Sequence, residues 1–338
     1  MQRPVMSVTF ADEPSSQRKR AVVWPAVRWG LGWGLGFLFK DLFGRFSRHD
    51  PSNPLSSRIL RACSYRLLFA PLVLVLLAAT LVYRGTHGPA VAAAIDPTCQ
   101  GMYYDTVNYL GDGNVRLEAW LVPALDAQRV LAERDRILGE RRPGIVLVHD
   151  IGFSREQMLP LVAPLHRQAY VVMVVTLRGC EGNSLGSTFG LAEAGDVEAA
   201  LAVLQKTPLV DADRLAIIGI GTGANAALIA AQHNAEVRAV IIDNPHSDFD
   251  EAFRGQLDDQ QWWMRGIDPL CRWTFEVAYG VNAADLNLQH CFSALQNRAD
   301  KPAILEFGDP RAVSLEPQKR TAILDFLDAN LRSKLEKQ

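Results

Sequence analysis

The stretch RLAIIGIGTGANAALIAAQ, residues 214–232, sets a β-rich run (Leu215 to Ile218) against a glycine-dense corner, and a small-residue helix follows from about Ala224. Gly219 and Gly223 match the flanking glycines of G-x-S-x-G, a sharp strand-to-helix turn that holds one side chain above a sheet edge. The chemistry such a corner supports is nucleophilic attack on a carbonyl by the middle residue. Here the middle residue is Gly221, which has no side chain to attack with. Thr222 carries the nearest hydroxyl, but the residue after the nucleophile serves through its backbone N–H, so that hydroxyl is expected to point elsewhere. Glycine also relieves the strain another residue would bear there, which reads Gly221 as a relaxed turn.

Short apolar strands must position this corner. Candidates are 114–124, 144–150, 169–179, 213–221, 237–245 and 301–310, with helical stretches at about 155–167, 191–206, 223–233 and 316–335. Strands alternating with helices predict an α/β domain over 101–335, with a mostly parallel sheet covered on both faces. Ligands on such sheets sit beyond the carboxyl ends of the strands. His149, Asp150, Ile151, Arg178 and His246 are therefore expected at the mouth of a pocket, with Asp309 after the last strand.

The run from about 114 to 310 resembles the α/β-hydrolase superfamily, and within it the membrane-anchored dienelactone-hydrolase and prolyl-oligopeptidase-like group. The resemblance is carried by RPGIVLVHDIGFSREQMLPLVAPL, LRGCEGNS, AEAGDVEAALAVLQ, VDADRLAIIGIGTGANAALIAA and AVIIDNPHSDFDE, in that order. It implies a serine nucleophile, an acid and a histidine, in that chain order. Gly221 stands in place of the serine. Asp309 stands near the acid position, two residues closer to its strand than the family pattern has it; the alternative is an Asp that caps a turn before Pro310. None of the seven histidines, at 49, 87, 149, 166, 233, 246 and 290, follows Asp309. His149 and His246 then serve loop hydrogen bonding or, alternatively, a remodelled acid/base role. Asp150 replaces the glycine that follows the family's loop histidine and sets negative charge where an oxyanion would develop. Gly221, Thr222 and Asp309 are thus read as vestigial positions with no catalytic role, and the protein as a pseudo-hydrolase that binds a small molecule or an envelope protein. The alternative is an active esterase or peptidase using non-standard residues. The insert at about 247–298, with Trp262, Trp263, Trp273 and Phe275, falls where the family carries a small helical cap.

Charge is split along the chain. Residues 1–66 hold eleven Lys/Arg against four Asp/Glu, a net of +7, leaving −9 for the remainder. No nucleic-acid motif accompanies the basic region, and membrane lipid is the partner expected for residues 35–84. LLFAPLVLVLLAATLVY, residues 67–83, is uncharged and bracketed by Arg66 and Arg84. At about 1.5 Å per residue it reaches roughly 25 Å, the short end of a span. The 66 residues before it exclude a cleaved signal peptide of ordinary build. A single-pass signal-anchor is expected, its N-terminus cytoplasmic because basic residues cluster before the span, with a linker at 84–100 and the large domain extracytoplasmic. An interfacial amphipathic helix is expected at about 35–48, with a second span at about 21–39 as the alternative. Cys271 and Cys291 are the expected disulfide in the exported domain, though sequence alone does not fix the pairing. No Cys or His spacing resembles a zinc site, and neither a metal nor a cofactor is expected.

Overall fold

The computed structural model describes residues 55–88, 92–124, 140–181, 185–257, 266–308 and 317–332, with side chains from Phe69 onward. The amphipathic segment 35–48, the alternative span 21–39, Trp262, Trp263 and Asp309 lie outside the described residues. The chain divides into two compact units, Met1–Pro71 and Leu72–Gln338.

Seven strands form one sheet: β1 (Asp105–Leu110), β2 (Arg116–Val122), β3 (Arg142–Val148), β4 (Val171–Val175), β5 (Val210–Ile220), β6 (Val237–Asp243) and β7 (Ala303–Phe307), in spatial order β1-β2-β4-β3-β5-β6-β7. The strands from β4 to β7 run parallel, while β2 is antiparallel to both β4 and β1. The central strands are apolar at almost every position because helices cover both faces, so alternation has no use there. The sequence reading missed β1. Its residues DTVNYL bury only Tyr109, as suits an edge strand, and carry no apolar run to announce it.

On one face, α3 (Leu191–Gln205), α4 (Thr222–His233) and α7 (Leu288–Gln296) enclose a core of Val146, Val148, Met173, Leu201, Ile217 and Leu228, among others. On the other, α2 (Leu159–Arg167) and α8 (Pro317–Leu327) cover Ile145, Leu147, Val172, Ile218 and Ile241. Within the helix expected at 316–335, the described residues pass from α8 into a π-helical turn, Asp328–Arg332.

A third core is built from α5 (Phe249–Gln256), α6 (Asp268–Tyr279) and the last turns of α1 (Leu55–Thr86). The insert therefore divides: α5 and α6 make the cap, whereas α7 closes the sheet's own core through Cys291 and Leu295. This division overturns the expected Cys271–Cys291 disulfide. Both cysteines are free; Cys271 packs beside Phe275 in the cap core, and Cys291 belongs to the core beneath α4. Cys99 and Cys180 are free as well.

By length and composition, α1 is sufficient to cross a membrane over Phe69–Thr86. The helix continues past the expected end of the span to Thr86. Ala78, Val82, Gly85 and Thr86 are buried, while Leu72, Val73, Leu74 and Leu76 are exposed. A methyl group added at Gly85 would lie 2.7 Å from the Phe253 ring, which is how closely the helix approaches α5.

Candidate functional site

The corner sits where chain order reverses: β3 lies between β4 on one side and β5 on the other, the kind of switch point at which such sheets bind ligands. β5 ends at Ile220, Gly221 turns, and α4 begins at Thr222. Gly221 holds φ 55° and ψ −118°. The turn is not relaxed in geometry: it keeps a sharp corner that only glycine occupies without strain. The flanking glycines answer a different need. A Cβ at Gly219 would lie 2.2 Å from the Gly223 carbonyl oxygen, and one at Gly223 would lie 2.5 Å from the His149 carbonyl oxygen. Strand and helix are packed backbone to backbone.

The space above Gly221 is filled by Asp150. A Cβ built on Gly221 would lie 2.3 Å from the Asp150 carboxyl carbon. The backbone N–H groups of Thr222 and Ile151 both donate to Asp150 Oδ1, each at 2.8 Å. These two donors come from the residue after the corner and from the loop after β3, the two sources of an oxyanion hole at a strand-to-helix elbow. Here both donors are taken up by the chain's own Asp150 carboxyl group. Gln157 fixes the loop by accepting the Asp150 N–H at 2.8 Å.

Comparison with known proteins identifies the fold in which this corner sits. Residues 145–327 match the model of the alpha/beta hydrolase family. This chain belongs to the alpha/beta hydrolase family. No curated protein matches it in sequence. Among solved structures it is similar to the Pyrococcus furiosus esterase Pf2001, at 17% identity and a TM-score of 0.53, covering 73% of this chain and 98% of that one. It is also similar to the alpha/beta hydrolase GrgF from Penicillium sp. sh18, at 16% identity and a TM-score of 0.46, covering 68% and 100%. At these identities the likeness shows the fold alone.

Within that family fold, the remaining candidates take definite places. His149 is fully buried. Its Nδ1 lies 2.8 Å from the Asp150 carbonyl oxygen and its Nε2 lies 3.3 Å from the Leu177 amide nitrogen. A carbonyl only accepts and an amide N–H only donates, so His149 is the neutral Nδ1–H tautomer with both nitrogens committed. Burial pushes its pKa below the usual imidazole range. Ile151 packs into the cap core with Ala78 and Val82. Arg178 does not offer its guanidinium to a ligand: Nε and Nη2 grip Asp196 of α3 at 2.7 and 2.6 Å, and Nη2 also donates to the Asp112 carbonyl oxygen at 3.2 Å. His246 receives support through its backbone N–H, which donates to Asn225 Oδ1 at 3.0 Å, while its Nε2 is buried without a hydrogen-bond partner. The Thr222 hydroxyl is buried beside Asp150 without a hydrogen bond of normal geometry.

Sequence reasoning did not pick out Gln157, Asn225 or the Asp243–Lys319 ion pair, 3.0 Å apart, at the end of β6. Asp243 also accepts the Gly221 N–H through its carbonyl at 2.9 Å. Nothing in their spacing marks these residues; they meet only through the fold. A separate cavity of about 780 Å³ lies against β2 and the end of β4, lined in part by Tyr104, Trp120, Arg155, Thr176, Cys180 and Glu181. It shares no lining residue with the corner. Arg155 stacks on Trp120 at 4.5 Å and pairs with Glu181 at 2.7 Å. Burial pushes the Cys180 thiol up to about 12, which makes it a poor nucleophile.

Burial also raises the Asp150 pKa from 3.8, against the opposing pull of the Thr222 and Ile151 N–H groups and of His246. For a carboxyl whose folded pKa exceeds its unfolded one, the folded state binds the proton more tightly. Stability therefore falls as pH rises from the unfolded value through the folded one. Asp150→Asn keeps an oxygen for the two N–H donors and removes the charge. The expected result is a variant that gains stability over the parent as pH rises above about 4, measured by urea denaturation across pH. Parallel pH profiles for the two proteins would refute the assignment.

Proposed function

We propose that this chain is a membrane-anchored alpha/beta-hydrolase-fold protein that does not hydrolyse esters or peptides, and that its large domain binds a small molecule or an envelope protein. In this reading α1 crosses the membrane, the basic N-terminal region is cytoplasmic and the domain is extracytoplasmic. One observation carries it: the Asp150 carboxylate accepts both oxyanion donors above a corner that has no side chain. A substrate carbonyl would have to displace a hydrogen-bonded anion to reach a position with no nucleophile. Loss of the nucleophile alone can cost on the order of 10⁶ in rate.

An activity-based fluorophosphonate probe is expected to leave the full-length protein unlabelled. Specific labelling that disappears in Thr222→Ala would overturn the proposal. One observation favours a second reading, an active hydrolase with non-standard residues: the unpartnered Nε2 of His246 lies in the neighbourhood of a buried carboxylate. Under it, turnover of an activated ester such as p-nitrophenyl acetate would be lost in His246→Ala.

A further inference from the structure

We propose that the outward face of α6, formed by Pro269, Trp273, Val277 and Ala278, is a lipid-contacting surface, so that the cap sits within the membrane leaflet on its own side. The assignment rests on the reading of α1 as a membrane anchor and says how deep the domain lies.

The first argument is one of length. The apolar run 67–83 has seventeen residues, already few for a hydrocarbon layer about 30 Å thick at about 1.5 Å per residue. None can be spared for a spacer outside the bilayer. Yet Ala78 and Val82, within that run, are buried against α5 and α6 in the cap core. A helix that uses its whole apolar run to cross must carry the elements packed on residues 78–83 into the same layer, to a depth of roughly 9 Å.

The second argument is the chemistry of α6. Residues 269, 273 and 277 recur every four positions and share one helix face. All three are exposed, as is Ala278; Trp273 is 52% and Val277 65% accessible. The opposite face, through Cys271 and Phe275, packs in the core shared with Ala78 and Val82. The charged residues of α6 are turned away from full exposure and held: Asp268 pairs with Arg254, Glu276 accepts the Ala283 N–H at 3.1 Å, and the Arg272 guanidinium lies 5.8 Å from the Phe249 ring centre. The described exposed positions of α6 are thus uniformly apolar. A tryptophan on such a face suits the headgroup boundary.

The third argument is attachment. The Tyr279 hydroxyl, at the end of α6, donates to Thr86 Oγ1 at 2.7 Å, tying α6 to the end of α1. The cap cannot stand off from the membrane while this contact and the shared core persist.

The test uses the full chain reconstituted in phosphatidylcholine/phosphatidylglycerol vesicles, with Cys63→Ser and Cys99→Ser removing competing thiols. A bimane label is placed singly through Leu74→Cys, Val277→Cys or Lys206→Cys, the last being an exposed position at the end of α3. Lipids carrying a nitroxide on the acyl chain are expected to quench the labels at 74 and 277, with a shift of their emission to shorter wavelength, and to leave 206 unchanged. Quenching at 74 with a water-exposed, unquenched label at 277 overturns the surface while leaving the anchor intact. A label at 277 shielded from aqueous iodide but not quenched by lipid overturns it in favour of a protein partner. Absence of quenching at both 74 and 277 removes the anchor reading, and the lipid surface with it.

Discussion

Gly221→Ser is expected to lower the stability of the domain by about 2–6 kcal/mol and to create no esterase. Two costs add. The corner's φ of 55° with ψ of −118° is strained for any residue with a Cβ, at about 1–3 kcal/mol. The new Cβ would also lie 2.3 Å from the Asp150 carboxyl, which two N–H groups hold in place, and overpacking of this kind costs about 1–3 kcal/mol. Asp150→Gly in the same chain should recover the second cost and leave the first. The measurement is urea denaturation of the parent, the single variant and the double variant, with hydrolysis of p-nitrophenyl acetate followed in parallel. Hydrolysis in the single variant would mean that a base is already in position and that the parent lacks only its nucleophile. Equal stability of parent and single variant would show that the carboxylate does not occupy that space.

The second large effect is expected at Asp196→Ala. Asp196 is almost fully enclosed, and the Arg178 side chain is only 10% exposed, so removing the carboxylate leaves a guanidinium with little water to replace it. Breaking a buried pair from one side costs about 3–5 kcal/mol. The same deletion strips the Asp112 N–H of its acceptor, Asp196 Oδ1, at 2.9 Å. Asp196→Ala/Arg178→Met, which removes both charges, should recover much of the loss. A single variant within 1 kcal/mol of the parent would mean that the pair is not held in the folded protein in solution, about a fifth to a third of the expected loss.

The corner could be read in the sequence because backbone sterics demand glycine at 219 and 223, and glycine is visible as a letter. The parallel strands could be read because burial on both faces leaves uninterrupted runs such as VVMVV. Neither signal exists for β1, whose six residues face mostly outward. The charge of Asp150 could be read, but not its seat over Gly221, which depends on a loop held by Gln157 and on two backbone N–H groups from separate elements. Arg178 was assigned to a pocket mouth from its place after a strand. Its commitment to Asp196, eighteen residues on, arises only when α3 folds back over the sheet. The paired-cysteine expectation failed for a similar reason: nearness in sequence within one insert said nothing of which core each side chain would join.

The four described thiols have a consequence for where this domain can be made. Three of them are buried and none is cross-linked, so the described fold is held without a disulfide. The described cysteines therefore cast no vote on which side of the bilayer the domain resides.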